Sequence, residues 1–221
     1  RVHVLLTDSG LYCANEGETF IAAGINSMRF QLWSSKLGNQ IGRFGRGFKS
    51  VLALTDQPQI FSRSGSYCFS RAGSRRFLLD DDRITIDHLG GGDDVPVLAI
   101  AEPIDPHEAA GDDQDLAALM EWATTVIHLP FTVGGRFEGL SPADRFELIE
   151  NDLAMFDPEF LIFAKHVHEL VLEVRGARRS IKEYGSEVHP IEGLAGLTNV
   201  EVFDCLVLDG SKEPRRWTLL E

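Results

Sequence analysis

The chain has 221 residues, 43% of them hydrophobic and 25% charged, with a net charge of −13 at pH 7, which suits one large globular domain or one and a half. An acidic excess of that size argues against broad nucleic-acid contact, and no apolar run approaches the roughly 20 residues that span a bilayer. The three cysteines, Cys13, Cys68 and Cys205, are odd in number and sit in apolar, strand-like surroundings, a pattern of buried thiols in a reducing, cytoplasmic compartment and not of a disulfide frame.

Residues 2–6 and 11–14 read as strands joined by the turn Asp8-Ser9-Gly10. Over 19–33, apolar residues at Phe20, Ile21, Ala23, Ile25, Met28 and Leu32 have helical spacing, whereas 34–46 lack periodicity and read as a mobile loop. A helix is predicted from Phe48 to Leu54, and alternating runs at 59–63, 67–71 and 76–79 predict an antiparallel meander. Strands at 96–101 and 124–129 flank a helix that opens in the acidic loop 111–115 and runs through Met120 and Trp122. Ser141 before Pro142 is a helix start, a capping hydroxyl followed by a ring whose fixed φ suits the first turn. That helix and one begun by Asp157-Pro158 lead to a strand at 169–174; periodicity then lapses over 176–196, and strands resume at 200–208 and 217–220. The pattern predicts an α/β fold with a boundary near 176, residues 1–175 forming one domain. Residues 176–221 read as the start of a second β-rich segment whose strands lack partners.

Between Glu18 and Asp56 lie five basic residues and no acidic one, in the same stretch as the run Ile41-Gly42-Arg43-Phe44-Gly45-Arg46-Gly47-Phe48-Lys49-Ser50. A cationic, glycine-spaced segment in an acidic protein is suited to an anion, because glycine lets the backbone approach a ligand closely. It is not a P-loop: Gly42 and Gly47 have the right separation, but Phe48 intervenes before Lys49, and one extra residue turns a helical side chain by about 100°. Nor is it the dinucleotide fingerprint, since the glycine order is reversed and no βαβ unit encloses it.

The run instead resembles the second glycine box of the GHKL ATPases, the superfamily of the ninety-kilodalton chaperones, gyrase B subunits, MutL proteins and histidine kinases, and more narrowly their sacsin-like branch. The resemblance implies that Gly42, Gly45 and Gly47, with Arg43, Phe44, Phe48 and Lys49, form a lid over a triphosphate. Upstream, residues 11–20 (LYCANEGETF) are similar to the first glycine box, which implies that Asn15 accepts the adenine amino group and that Gly17 leaves room for the base. Most of the superfamily has aspartate at the first position; sacsin-like sequences commonly carry asparagine, whose carbonyl still accepts a hydrogen bond. Ser34-Ser35-Lys36 resembles the lid's Ser-x-Lys, so Ser35 and Lys36 join the phosphate set. Residues 122–130 (WATTVIHLP) resemble the strand whose threonine reaches adenine, with Thr124 favoured by register and Thr125 as the alternative.

The implied fold is a two-layer α/β sandwich of the Bergerat type, a mixed, mostly antiparallel sheet with helices on one face. The implied function is Mg2+-dependent ATP binding, with lid closure driving conformational change toward a protein client or neighbouring domains. The superfamily's helix with a general-base glutamate and an Mg2+-binding asparagine should precede the first strand; the chain begins at Arg1 without it. The expectation is therefore a fragment that binds ATP without hydrolysing it, the intact parent being the ATPase. The rival expectation is a nucleotide-independent scaffold or interaction module with a degenerate pocket. A kinase-type relative is disfavoured by the absence of a phospho-acceptor helix pair. The seven histidines show no metal-ligand spacing and read as surface or strand-edge residues; the aspartate runs read as solvated loops.

Overall fold

The computed structural model describes residues 1–21, 24–26, 47–81, 84–85, 87–88, 95–132, 140–164, 166–188, 202–210 and 212–220. The fold is α/β, with two compact units, one of residues 1–6 with 149–221 and one of residues 7–148.

In the first unit the strands run in the order β10-β9-β8-β7-β1: β1 is Val2–Thr7, β7 Glu169–Val174, β8 Ala177–Val188, β9 Val202–Asp209 and β10 Arg215–Leu220. β1 and β7 are parallel and the other three pairings antiparallel, so the ladder is mixed. Pairing partners point to one side of a sheet, and the register Val2↔Leu170, Val4↔Leu172 and Leu170↔Ile181 collects these residues on one face. That face forms a core with Val207, Leu161 and Ala164, packed by Leu153, Phe156 and Ile162. Each fully buried aliphatic side chain there contributes roughly 1.5–3 kcal/mol.

The predicted boundary at 175/176 falls in the turn of a β7–β8 hairpin, where Val174 pairs Ala177 and both central residues are left-handed, Arg175 at φ 49° and Gly176 at φ 77°. Two successive positive φ values match the right-handed twist of the flanking strands, so both sides of this position belong to one unit. The stretch read as aperiodic is largely the twelve-residue β8. Its charged and polar residues are cross-strand partners, such as Arg178 opposite Glu173 and Lys182 opposite Glu169, which hides a period-two pattern from hydropathy. β9 and β10 are likewise paired where partnerless strands were expected.

The second unit orders its strands β2-β6-β3-β4-β5, all antiparallel: β2 is Gly10–Asn15, β3 Gln59–Ser62, β4 Gly65–Phe69, β5 Ala101–Pro103 and β6 Thr125–Pro130. The third run of the expected meander is a helix, α1 (Arg71–Leu79), started by Ser70, whose hydroxyl accepts from the Gly73 amide; that capping serine outweighs the alternation. The predicted strand at 96–101 splits into a 3-10 turn, Val97–Ala99, and β5. Helix α2 (Pro106–Asp112), capped by Asp105, was not read from the sequence, while α3 (Gln114–Trp122) follows Asp113 as expected. Helix α4 (Pro142–Ala154) begins at Ser141-Pro142, with Ser141 and Asp144 bonding each other reciprocally. The short α5 (Phe160–Phe163) follows Asp157-Pro158.

Helical cover in the second unit lies on both faces of the ladder, where the sequence reading placed it on one. Phe48 and Leu52 pack with Ile60, Phe69, Val97 and Leu98, whereas α3 packs on β2 and β6 and bonds Tyr12, one residue out of phase with Cys13 and Asn15. Among the described residues, no helix is long and apolar enough to cross a membrane.

Candidate functional site

The predicted helix behind the glycine box exists over Gly47–Ala53 but is a 3-10 helix of seven residues. So short a segment carries little summed dipole, and the helix-terminus part of the phosphate argument loses its weight. Phe48 is anchored in the core, and Lys49 is half-buried beside it. Ser35, Lys36, Gly42, Arg43, Phe44 and Gly45 lie outside the described residues, as do the predicted loop 34–46 and most of the predicted 19–33 helix.

Asn15 closes β2, and its register partner on β6 is Thr125. Partners share a face, so Asn15, Thr125 and, through Ser62↔Thr125 and Ile60↔Ile127, Ser62 and Ile60 look the same way. This is the face on which Phe20 and Phe48 pack. Thr125 is buried and bonds Ser62, Oγ1 to Oγ at 3.0 Å; the Phe20 amide donates to the same Ser62 Oγ at 2.9 Å. Thr124 instead spends its backbone on the junction, its amide donating to the Asn15 carbonyl at 2.8 Å and its carbonyl accepting from the Arg63 amide at 3.1 Å. Ser62 and Ser64, which bonds the Phe20 carbonyl, were missed in the sequence, where serines beside a strand end carry no distinguishing pattern.

The Asn15 Oδ1 accepts the Gly17 amide at 3.0 Å, the local turn that asparagine commonly forms. Among the described residues, Oδ1 keeps one further lone pair and Nδ2 both of its hydrogens without a partner. A Cβ on Gly17 would stand 3.1 Å from that oxygen. Glycine therefore keeps this acceptor uncrowded.

On the opposite face a buried polar cluster forms that the sequence did not reveal. Tyr12 Oη donates to Asp113 Oδ2 at 2.7 Å, while Asp113 Oδ1 caps α3 by accepting the Leu116 amide at 2.9 Å. Tyr12 stacks on its register partner His128, ring centroids 4.2 Å apart and planes 4° from parallel. The His128 Nδ1 bonds the Gln59 amide oxygen at 3.0 Å, which places the ring proton on Nδ1. Its Nε2 lies where a Cβ on Gly10 would come within 3.0 Å, so Gly10 is a close-approach glycine. His3 and His128 are both buried, contrary to the surface or strand-edge reading of the histidines. Alternation on β1 and β6 puts them inside, and ring stacking and hydrogen bonding make them tolerable there.

Burial pushes the His128 pKa down to about 4, only partly opposed by the Asp113 carboxylate. A depressed histidine stabilises the fold fully above the unfolded value of 6.5 and loses that contribution as the pH falls toward 4. Urea midpoints should therefore decline from pH 6.5 to 4, and His128→Gln should flatten that decline. Burial also raises the thiols of Cys13 and Cys68, the latter to about 11, so neither of these two is a nucleophile at neutral pH. Among the described residues, no group of three or more His, Cys, Asp or Glu side chains is placed to hold a metal ion.

Compared with models of protein families and with curated proteins, the chain matches none.

Proposed function

We propose that this chain carries an ATP-binding domain of the GHKL, sacsin-like type. The observation that carries the reading is the pairing of Asn15 with Thr125 on the face where Phe48, the residue after the last glycine of the box, is anchored. Asn15 would accept the adenine amino group, with Gly17 keeping its oxygen clear and Thr125, in place of Thr124, beside it. Gly42, Gly45, Gly47 and Lys49, with Ser35 and Lys36, would meet the phosphates, and Mg2+ would enter with them to offset phosphate charge. In this reading the fold is the Bergerat sandwich with α3 as an added cover on the far face, the compartment is the cytoplasm, and the partners are neighbouring domains or a protein client.

A fluorescent ATP analogue, with and without Mg2+, tests the proposal. Binding in the micromolar to sub-millimolar range is expected, weakened about tenfold or more by the paired change Gly45→Val, Gly47→Val and by Asn15→Ala, with circular dichroism unchanged. No binding to a folded chain would overturn it. The second reading, a nucleotide-independent scaffold, draws on the Asn15–Gly17 bond, which gives the asparagine a purely local role; it requires that neither the folded wild type nor Asn15→Ala bind the analogue.

A further inference from the structure

The unit of residues 1–6 and 149–221 contains a cavity of about 700 Å³, lined by the α4–α5 connection, including Met155 and Glu159, and by Arg179, Lys212, Arg215 and Trp217. The core face explains why it is there. Arg215 pairs with Val207, Ile181 with Asp209 and Trp217 with Cys205, so Arg215 and Trp217 share the side that buries Val207 and Ile181. Strand β10 ends the order of the unit's ladder, which leaves a notch at its edge. The volume lies within the roughly 300–1,000 Å³ of small-molecule sites.

The charges are layered. Asp209 and Glu159 have only 6% and 14% of their side chains exposed, whereas Lys212 and Arg215, which pair with them, are 63% and 52% exposed. Arg179 is committed below, bidentate to Asp209 at 2.7 and 2.9 Å and bonded to the Phe156 carbonyl at 3.0 Å. The acids thus sit inward and the cations meet solvent, in a chain whose overall charge is strongly negative. Lys212 Nζ has three donors, of which Asp209 takes one at 2.6 Å. Beside these cations stand two exposed apolar side chains, Met155 and Trp217, suited to an aromatic ring by sulfur–ring and ring–ring contact.

We propose that this notch binds a small aromatic monocarboxylate, its carboxylate on Lys212 and Arg215 and its ring between Met155 and Trp217. A dianion is disfavoured, because Asp209, Glu159 and Asp157 together already balance the charges of Arg179, Lys212 and Arg215. The site shares no residue with the proposed nucleotide pocket and does not rest on that reading.

The probe is 2-naphthoate, followed by calorimetry and by saturation transfer on the whole chain, with 2-naphthamide and inorganic phosphate as comparisons. Naphthoate should bind with Kd below about 1 mM, and the amide and phosphate each about tenfold more weakly. Lys212→Gln leaves Arg179 on Asp209, and Met155→Glu alters a solvent-exposed position, so both variants should stay folded by circular dichroism. Lys212→Gln should weaken naphthoate about fivefold to tenfold, and Met155→Glu should abolish its binding by repelling the carboxylate and removing the sulfur contact. Absence of naphthoate binding, equal affinity for the amide, equal affinity for phosphate, or indifference to both substitutions would each overturn the proposal.

Discussion

Asp209→Asn should lower stability at pH 7 by about 3 kcal/mol, the low end of the range for breaking a buried ion pair, because Arg179 keeps some solvent exposure. The asparagine retains shape but leaves the guanidinium without its carboxylate, and Lys212 with it. Arg179 also donates to the Leu153 and Phe156 carbonyls, so the loss reaches the end of α4 and the α4–α5 connection as well as the sheet. The hydrogen-bonded Arg179, helped by Lys212, holds the Asp209 carboxyl down to about 2 although burial pushes it up. A depressed acid stabilises fully above its unfolded value, 3.8, and progressively less as the pH falls toward 2. Urea denaturation should therefore show the gap between wild type and variant wide at pH 7 and narrowing below pH 3.8. A gap that persists undiminished to pH 2 would mean that packing, not charge, carries the effect.

Arg145→Met should cost a similar amount, about 3 kcal/mol, in the unit of residues 7–148. Arg145 on α4 is 2% exposed. Its Nη1 donates to the Leu54 carbonyl at 2.9 Å, just past the 3-10 helix, its Nη2 to the Thr132 carbonyl, and its guanidinium lies 5.3 Å from the centroid of Phe131. Methionine fills the volume and leaves both carbonyls without their donor. Lysine should not rescue it, because one ammonium cannot reproduce a planar fork that spans two acceptors and a ring. Hydrogen exchange should localise the loss, with amides at 51–55 and 131–132 losing protection before those of β2. Equal loss of protection throughout the unit would argue instead for a general core role.

Elements with a chemical start signal were legible in the chain itself. Ser141-Pro142 and Asp113 begin helices where expected, because the atoms that satisfy the first amides are the neighbours in sequence. The strands β1, β2, β6 and β7 were also legible, since one or both of their faces are apolar. Where meaning depends on a partner, the chain misled. Residues 76–79 read as a strand, yet they end the helix that Ser70 caps. The polar β8 looked aperiodic because its pattern is completed by Glu169 and Glu173 on β7.

The candidate site divides in the same way. Asn15, Gly17 and the glycine run were conspicuous as residue types, and the local Asn15–Gly17 turn follows from two side-by-side residues. Which threonine stands with Asn15 is a matter of register: pairing assigns Thr125 to Asn15's face, and a slip of one residue would reverse it. The Tyr12–His128–Asp113 cluster joins groups up to 116 positions apart, beyond the reach of any local pattern. The sequence by itself determined caps, turns, the apolar strands and the cationic glycine segment, because these depend on atoms a few bonds away. Only the tertiary structure decided which polar groups are buried, which cations are spent on carboxylates and which remain open to solvent, because desolvation and pairing depend on what distant strands bring alongside.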